Sequence, residues 1–200
     1  MYGLPISAER RMQLPKKAIY AKFDLKQAQR ESFDADIARI DIVAVVSPST
    51  VPALLEGGAV KEFYVLDVQM KHNEYDAKNI LLLTRLIAQK MVFVLRYEGQ
   101  VKLAVFYTKL FTTPWQPYEQ ATLPLSGLNL DAVWENIVKA IGHIEVADGN
   151  TLSEQIAADE RRAELLAKIE LLERKMANEK QPRRKREYFE QIKKLKEQVI

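Results

Sequence analysis

Residues 63–108, FYVLDVQMKHNEYDAKNILLLTRLIAQKMVFVLRYEGQVKLAVFYT, decide the fold class. From Phe63 to Met70 the chain is rich in β-branched and aromatic residues. Its latter half alternates, with Leu66, Val68 and Met70 on one face and Asp67, Gln69 and Lys71 on the other. A period of two marks a strand with unlike faces. Asp76 stands as an N-cap before a helix expected to reach about Gln89, and Ile80-Leu81-Leu82-Leu83 covers more than one face of it, which predicts deep burial. Met91–Tyr97 and Val101–Thr108 read as two more strands, joined by a hairpin-sized loop at Glu98-Gly99-Gln100. Strand, helix, strand and strand in one short stretch predict an α+β body with a mixed sheet.

Working upstream, Ile42–Val46 is nearly all apolar and β-branched and reads as a buried strand, ended by Ser47-Pro48-Ser49-Thr50. Lys17–Phe23 reads as a short strand, and Asp24 as the N-cap of a helix carrying Leu25, Ala28, Phe33, Ile37 and Ile40. Downstream, Pro114, Pro117 and Pro124 make 111–127 irregular. Asn129 or Asp131 then opens a helix with Val133, Trp134, Ile137, Val138 and Ile141 inward, closed by Gly142. The expected core holds Ile42, Val45, Val65, Leu66, Leu82, Leu83, Phe93, Val105, Trp134 and Ile137.

The chain of 200 residues changes character near Asn150. Residues 1–150 carry 17 basic and 17 acidic side chains, whereas 151–200 carry 13 and 10, so the whole net charge of +3 sits in the tail. This predicts a globular domain over 1–150 and a helical tail over 151–200. In the tail Leu165, Ile169, Leu172 and Met176, then Tyr188, Ile192, Leu195 and Val199, follow heptad spacing, and Pro182 separates the two sets. Proline is costly inside a helix and welcome in its first turn. Two helices, about 153–178 and 183–199, are therefore expected to form a C-terminal helical hairpin or coiled coil. Its turn carries Lys180, Arg183, Arg184, Lys185 and Arg186, five positive charges in seven residues.

Several function classes drop out. The absence of cysteine excludes disulfides, thiolate metal sites and cysteine nucleophiles. No phosphate-cradling glycine loop and no Gly-x-Ser-x-Gly elbow occurs. His72 and His143 stand alone, so no metal and no cofactor is expected. No apolar run is long enough to span a membrane, and the charged N-terminal region lacks a signal core, so a cytoplasmic protein is expected.

Leu14-Pro15-Lys16-Lys17, Asp76-Ala77-Lys78-Asn79-Ile80-Leu81-Leu82-Leu83, Gln89-Lys90-Met91-Val92-Phe93, Leu103-Ala104-Val105 with Lys109-Leu110, and Gly127-Leu128-Asn129-Leu130 with Trp134-Glu135-Asn136-Ile137 resemble a prokaryotic domain-of-unknown-function family, number four-three-nine-one. The resemblance covers most of the chain. It brings no catalytic motif. Members tend to be encoded beside DNA helicases and DNA methyltransferases in restriction-like or antiviral loci. The resemblance therefore implies a protein partner of that kind within a nucleic-acid-processing assembly.

The leading expectation is a non-catalytic accessory or adaptor subunit. It docks through the heptads and touches DNA or RNA backbone through the basic turn, where neutralised phosphates release counterions. The alternative is a divergent metal-dependent nuclease of restriction-endonuclease-like fold. Such enzymes place an acid on one strand and Glu-x-Lys on the next, followed by a helix and a strand, so that carboxylates hold the cation and lysine steadies charge. Here Asp41, Asp67 and Lys71 are the candidates, but the glutamate slot is Gln69, a poorer cation ligand, and Asp67 sits two residues early. A third reading is a structural protein that forms a homo-oligomer through its heptads. Lys78, Asn79 and Arg85 offer a minor set of phosphate contacts, against the plainer role of a charged rim. Trp115, Trp134 and Tyr118 are not interleaved with basic residues and read as core or interface.

Overall fold

A computed structural model describes residues 1–198. In chain order the elements are β1 (Glu9–Gln13), α1 (Lys16–Phe23), α2 (Gln27–Asp36), β2 (Ile37–Val46), β3 (Phe63–Met70), α3 (Ala77–Leu83), β4 (Lys90–Tyr97), β5 (Gln100–Phe106), β6 (Leu110–Thr112), β7 (Gln116–Pro117), α4 (Leu130–Gly142), α5 (Leu152–Asn178) and α6 (Pro182–Glu197). The fold class is α+β. The chain forms two compact units, Met1–Ile144 and Glu145–Ile200.

In the first unit one mixed sheet runs β1-β2-β3-β4-β5-β6, with β7 also on β5. Neighbours are antiparallel except β3 and β4, which α3 connects as a parallel pair. The alternation in β3 settles which face is which. Leu66, Val68 and Met70 pack with Phe93 and Leu95 of β4 against Ile19, Phe33, Ile80 and Leu83 from α1, α2 and α3. On the opposite face Phe63 meets Trp134 of α4, ring centroids 5.8 Å apart. The expected core residues are buried, apart from Val45 and Leu82, which are half-buried.

Four local readings need correction. Ile37 and Ile40, expected on the helix after Asp24, belong to strand β2, which begins where α2 ends at Asp36. Lys17–Phe23 belongs to a helix and not a strand, because Pro15 sets the entry at φ −66° and the i, i+4 pair Ile19 and Phe23 meets the α-helical layer. Asp24 does not cap the next helix. It ends α1 in the left-handed region at φ 43°, and Lys26 is the N-cap of α2. The helix after Asp76 stops at Leu83 and not near Gln89. Thr84 Oγ1 donates to the Leu81 carbonyl at 2.8 Å, and the amides of Arg85 and Leu86 then turn to carbonyls three residues back. Strand β1, Glu-Arg-Arg-Met-Gln, has almost no apolar pattern because it is an exposed edge, where charge blocks further pairing. The β4–β5 turn falls where expected but is one residue shorter: Gln100 already pairs with Tyr97, and Glu98 and Gly99 both take positive φ, as a two-residue hairpin requires.

Asp131, in the first turn of α4, reaches across to the loop before β3. Its carboxylate accepts from the amides of Gly58 (2.6 Å), Ala59 (3.2 Å) and Val60 (2.7 Å). Gly57 is required beneath it, since a Cβ there lies 2.4 Å from Asp131 Oδ1 and 2.7 Å from the Val60 carbonyl. These amides, that of Val60 first, hold the Asp131 carboxyl below the usual carboxylate range. A depressed pKa contributes stability that is present above the unfolded value and is lost as pH falls through the folded one. Asp131→Asn should therefore lower Tm near neutral pH. Thermal melts across a pH series should show the gap to wild type closing in acid below the ordinary carboxylate range.

In the second unit, α5 opens on a capping box between Thr151 and Glu154. Ile169, Leu172 and Ile192 are buried between α5 and α6, with Met176, Tyr188 and Leu195 packed against them. Leu165 is half-buried, and Val199, its expected counterpart, lies outside the described residues. Lys196 of α6 donates to Glu173 of α5 at 2.8 Å, which agrees with the antiparallel order of the seam. Among the described residues no helix is long and apolar enough to cross a membrane.

Candidate nucleic-acid interface

The basic turn is built by chain geometry. Glu179 leaves the helical region at the end of α5, and its carboxylate accepts from the amides of Lys180 (2.9 Å) and Gln181 (3.0 Å). Pro182 then occupies the first turn of α6, where its missing N–H costs nothing. Lys180, Arg183, Arg184, Lys185 and Arg186 are all exposed. Among them the one ion pair in the described residues is Arg183 to Glu187 at 3.3 Å, with Arg183 93% exposed. No acidic residue stands in the first turn of α6. Arg183 to Arg186 thus sit at the positive pole of the helix dipole, where cations are disfavoured by about 0.3–1 kcal/mol each. Folding gains nothing from this placement, and an anion gains both the guanidinium groups and the free helix amides. On the same two helices Leu166 (48% exposed), Leu171 (52%) and Phe189 (55%) are open to solvent.

The second cluster lies on the α4 side of the sheet, beyond α4 itself. Asp41 of β2 and Asp67 of β3 are direct cross-strand partners. Each carboxylate is matched by arginine. Asp41 takes a two-pronged contact from Arg39, at 2.7 and 2.8 Å. Asp67, only 2% exposed, accepts from Arg96 Nε at 2.6 Å and from the Tyr2 hydroxyl at 2.9 Å. Burial, followed by the Asp67 charge, pushes the Tyr2 hydroxyl far above the usual tyrosine range, so it remains a donor. Gln69 is exposed on the same face. Lys71 does not join the cluster: its ammonium donates to the Asp34 carbonyl at 2.5 Å, at the end of α2. The structure brings Asp41 and Asp67 together on adjacent strands, followed by α3 and parallel β4, and directs Lys71 elsewhere.

The remaining candidates are dispersed. His72 and His143 are exposed and far apart in the chain, and His143 ends α4 at φ 50°. Among the described residues no three His, Asp or Glu side chains converge as a metal site. Asn79 spends its amide on Asp36 (2.7 Å) and Ser32 (3.1 Å) and so braces α3 against α2. Arg96 and Tyr2 carried no sequence signal, because their partner Asp67 lies 29 and 65 positions away. The parity of β4, with Phe93 and Leu95 inward, was the one hint that Arg96 shares a face with Asp67.

No curated protein and no solved structure is significantly similar to the chain. The family model described as Domain of unknown function (DUF4391) matches residues 2–199, body and helical tail together. The chain belongs to the DUF4391 family.

Proposed function

We propose that the protein is a non-catalytic accessory subunit of a nucleic-acid-processing assembly, and that its α5–α6 turn holds nucleic-acid backbone. The observation that carries this reading is a run of exposed arginine and lysine at the wrong pole of a helix, with one ion pair to offset it. A local rule broken without a folding gain points to function. Exposed cations at the turn between two helices give positioning without base readout. The exposed Leu166, Leu171 and Phe189 of α5 and α6 supply apolar area for a protein partner. By the family's genomic company, that partner is a helicase or methyltransferase. The test is a salt series of nucleic-acid binding by wild type and by a variant with Arg183, Arg184, Lys185 and Arg186 all changed to Ala.

One observation favours the second reading, a divergent metal-dependent nuclease: the cross-strand pairing of Asp41 with Asp67 ahead of α3 and β4. The arginines on both carboxylates and the position of Lys71 weigh against it. Incubation of DNA with purified protein and Mg²⁺ or Mn²⁺ separates the two. The accessory reading expects intact DNA, and cleavage abolished by Asp41→Ala would establish the nuclease.

A further inference from the structure

The arginine-matched face of the sheet is also a cleft. Arg96 lines two adjoining hollows on it. One, of ≈ 290 Å³, is walled by Arg11, Arg39, Asp41, Asp67 and the Met1 end of the chain. The other, of ≈ 490 Å³, opens at the carboxyl ends of the parallel pair β3 and β4, beside Gln69, Gln100, Tyr118 and Glu119. Carboxyl ends of parallel strands are where open α/β sheets receive ligands.

The two ends differ in charge. Around the first hollow three arginines, Arg11, Arg39 and Arg96, outnumber the two carboxylates of Asp41 and Asp67. Around the second, amides, an aromatic ring and the acidic side chains Glu98 and Glu119 prevail. Arg96 stands between them and is held in place. The buried Asp67 carboxylate takes its Nε, and among the described residues Asp67 is its one hydrogen-bond partner. Both Nη groups therefore remain to donate, in the planar fork that fits phosphate oxygens. Tyr118 is half-buried and braced by the Tyr2 ring, centroids 5.5 Å apart, so its ring is ordered before any ligand arrives. A braced aromatic ring stacks bases, and carboxamides and carboxylates at the rim match the donors and acceptors of a base edge.

We propose that this cleft binds a single nucleotide unit, with its phosphate on Arg39 and Arg96 and its base against Tyr118. Asp67 is the positioning residue that aims Arg96. The unit comes either from a free nucleotide or from a single strand. The site is independent of the basic turn.

The experiment is calorimetric titration of the full chain with deoxyadenosine monophosphate and with a short oligodeoxyadenylate. Adenine is chosen because its amino group suits the acidic rim. Arg39→Ala and Arg96→Lys leave the carboxylates matched or solvated and should still fold, which circular dichroism checks. Each should weaken binding by about 10-fold or more, as expected for losing a charge-assisted bond to phosphate. Tyr118→Leu should weaken it by about 5- to 100-fold. Comparable affinity for both probes identifies a free-nucleotide site, and binding of the oligonucleotide alone identifies a strand site. Either result supports the cleft if these three substitutions reduce it. Failure of folded wild type to bind either probe overturns the proposal. So does binding that survives all three substitutions and disappears only in the basic-turn variant, a result that would leave the accessory role intact.

Discussion

Asp67→Ala should destabilise the body by about 2–4 kcal/mol, the largest effect expected of any single polar substitution in it. The size follows from what the carboxylate satisfies. It is nearly inaccessible, and it accepts one charged and one neutral hydrogen bond. Removing one partner of a buried pair costs about 3–5 kcal/mol when the other charge stays buried. The Arg96 side chain is 40% exposed and can recover part of its hydration, which lowers that share. Tyr2 cannot recover as easily, and an orphaned buried hydroxyl costs about 1–3 kcal/mol. The substitution also acts beyond the pair. Tyr2 holds the N-terminal segment on the sheet through this bond, and its carbonyl accepts from the Leu123 amide at 3.0 Å. Faster amide exchange over residues 1–13 should therefore accompany the loss of stability.

The controls separate charge from shape. Asp67→Asn keeps the volume and an acceptor for Tyr2 but removes the charge facing Arg96. Tyr2→Phe keeps the ring and removes the donor, at about 0.5–1.5 kcal/mol. If charge dominates, urea denaturation should place Asp67→Asn near Asp67→Ala and Tyr2→Phe near wild type. Equal stability of Asp67→Ala and wild type would show that Asp67 is not the anchor of this face.

Which features could be read in the sequence depends on how far apart the interacting residues lie. The alternation Leu66, Val68, Met70 is a local pattern, and so is the spacing that brings Ile169, Leu172 and Met176 of α5 against Tyr188, Ile192 and Leu195 of α6. Burial sets those periods directly. Strand β1 and helix α1 escape such a reading for opposite reasons. Glu9–Gln13 is an edge, so burial imposes no period on it. Lys16–Phe23 is short enough that Ile19 and Phe23 suit either period, and packing against α2 and α3 decides. The candidate sites divide in the same way. The basic turn is a run of neighbours and stands out in the chain. The Tyr2–Asp67–Arg96 cluster exists only because β3 pairs in parallel with β4 and the N-terminal segment folds back over both. Asp67 was legible as a polar residue on a strand, but its partners were not.

Changing Arg183, Arg184, Lys185 and Arg186 together to Ala should abolish most nucleic-acid binding at physiological salt while leaving the fold as stable as before, or slightly more so. The stability claim has two grounds. These side chains are exposed, so their contacts contribute little, and their one ion pair among the described residues, Arg183 with Glu187, is a surface i, i+4 contact. Their charges also repel each other and oppose the dipole of α6, and alanine is the better helix former. The binding claim rests on counterion release. Each phosphate neutralised on duplex DNA contributes about 0.9 to the slope of log affinity against log salt. Four cations at one turn reach two to four phosphates, so the slope should flatten by about 2–4 units. Binding isotherms of wild type and variant across a salt series measure this, and thermal melts check the fold. Equal slopes would mean that the charges only keep the turn solvated, and the tail would then serve protein docking alone. A variant that loses binding and also melts early would place these residues in the packing of the helical pair, which their exposure argues against.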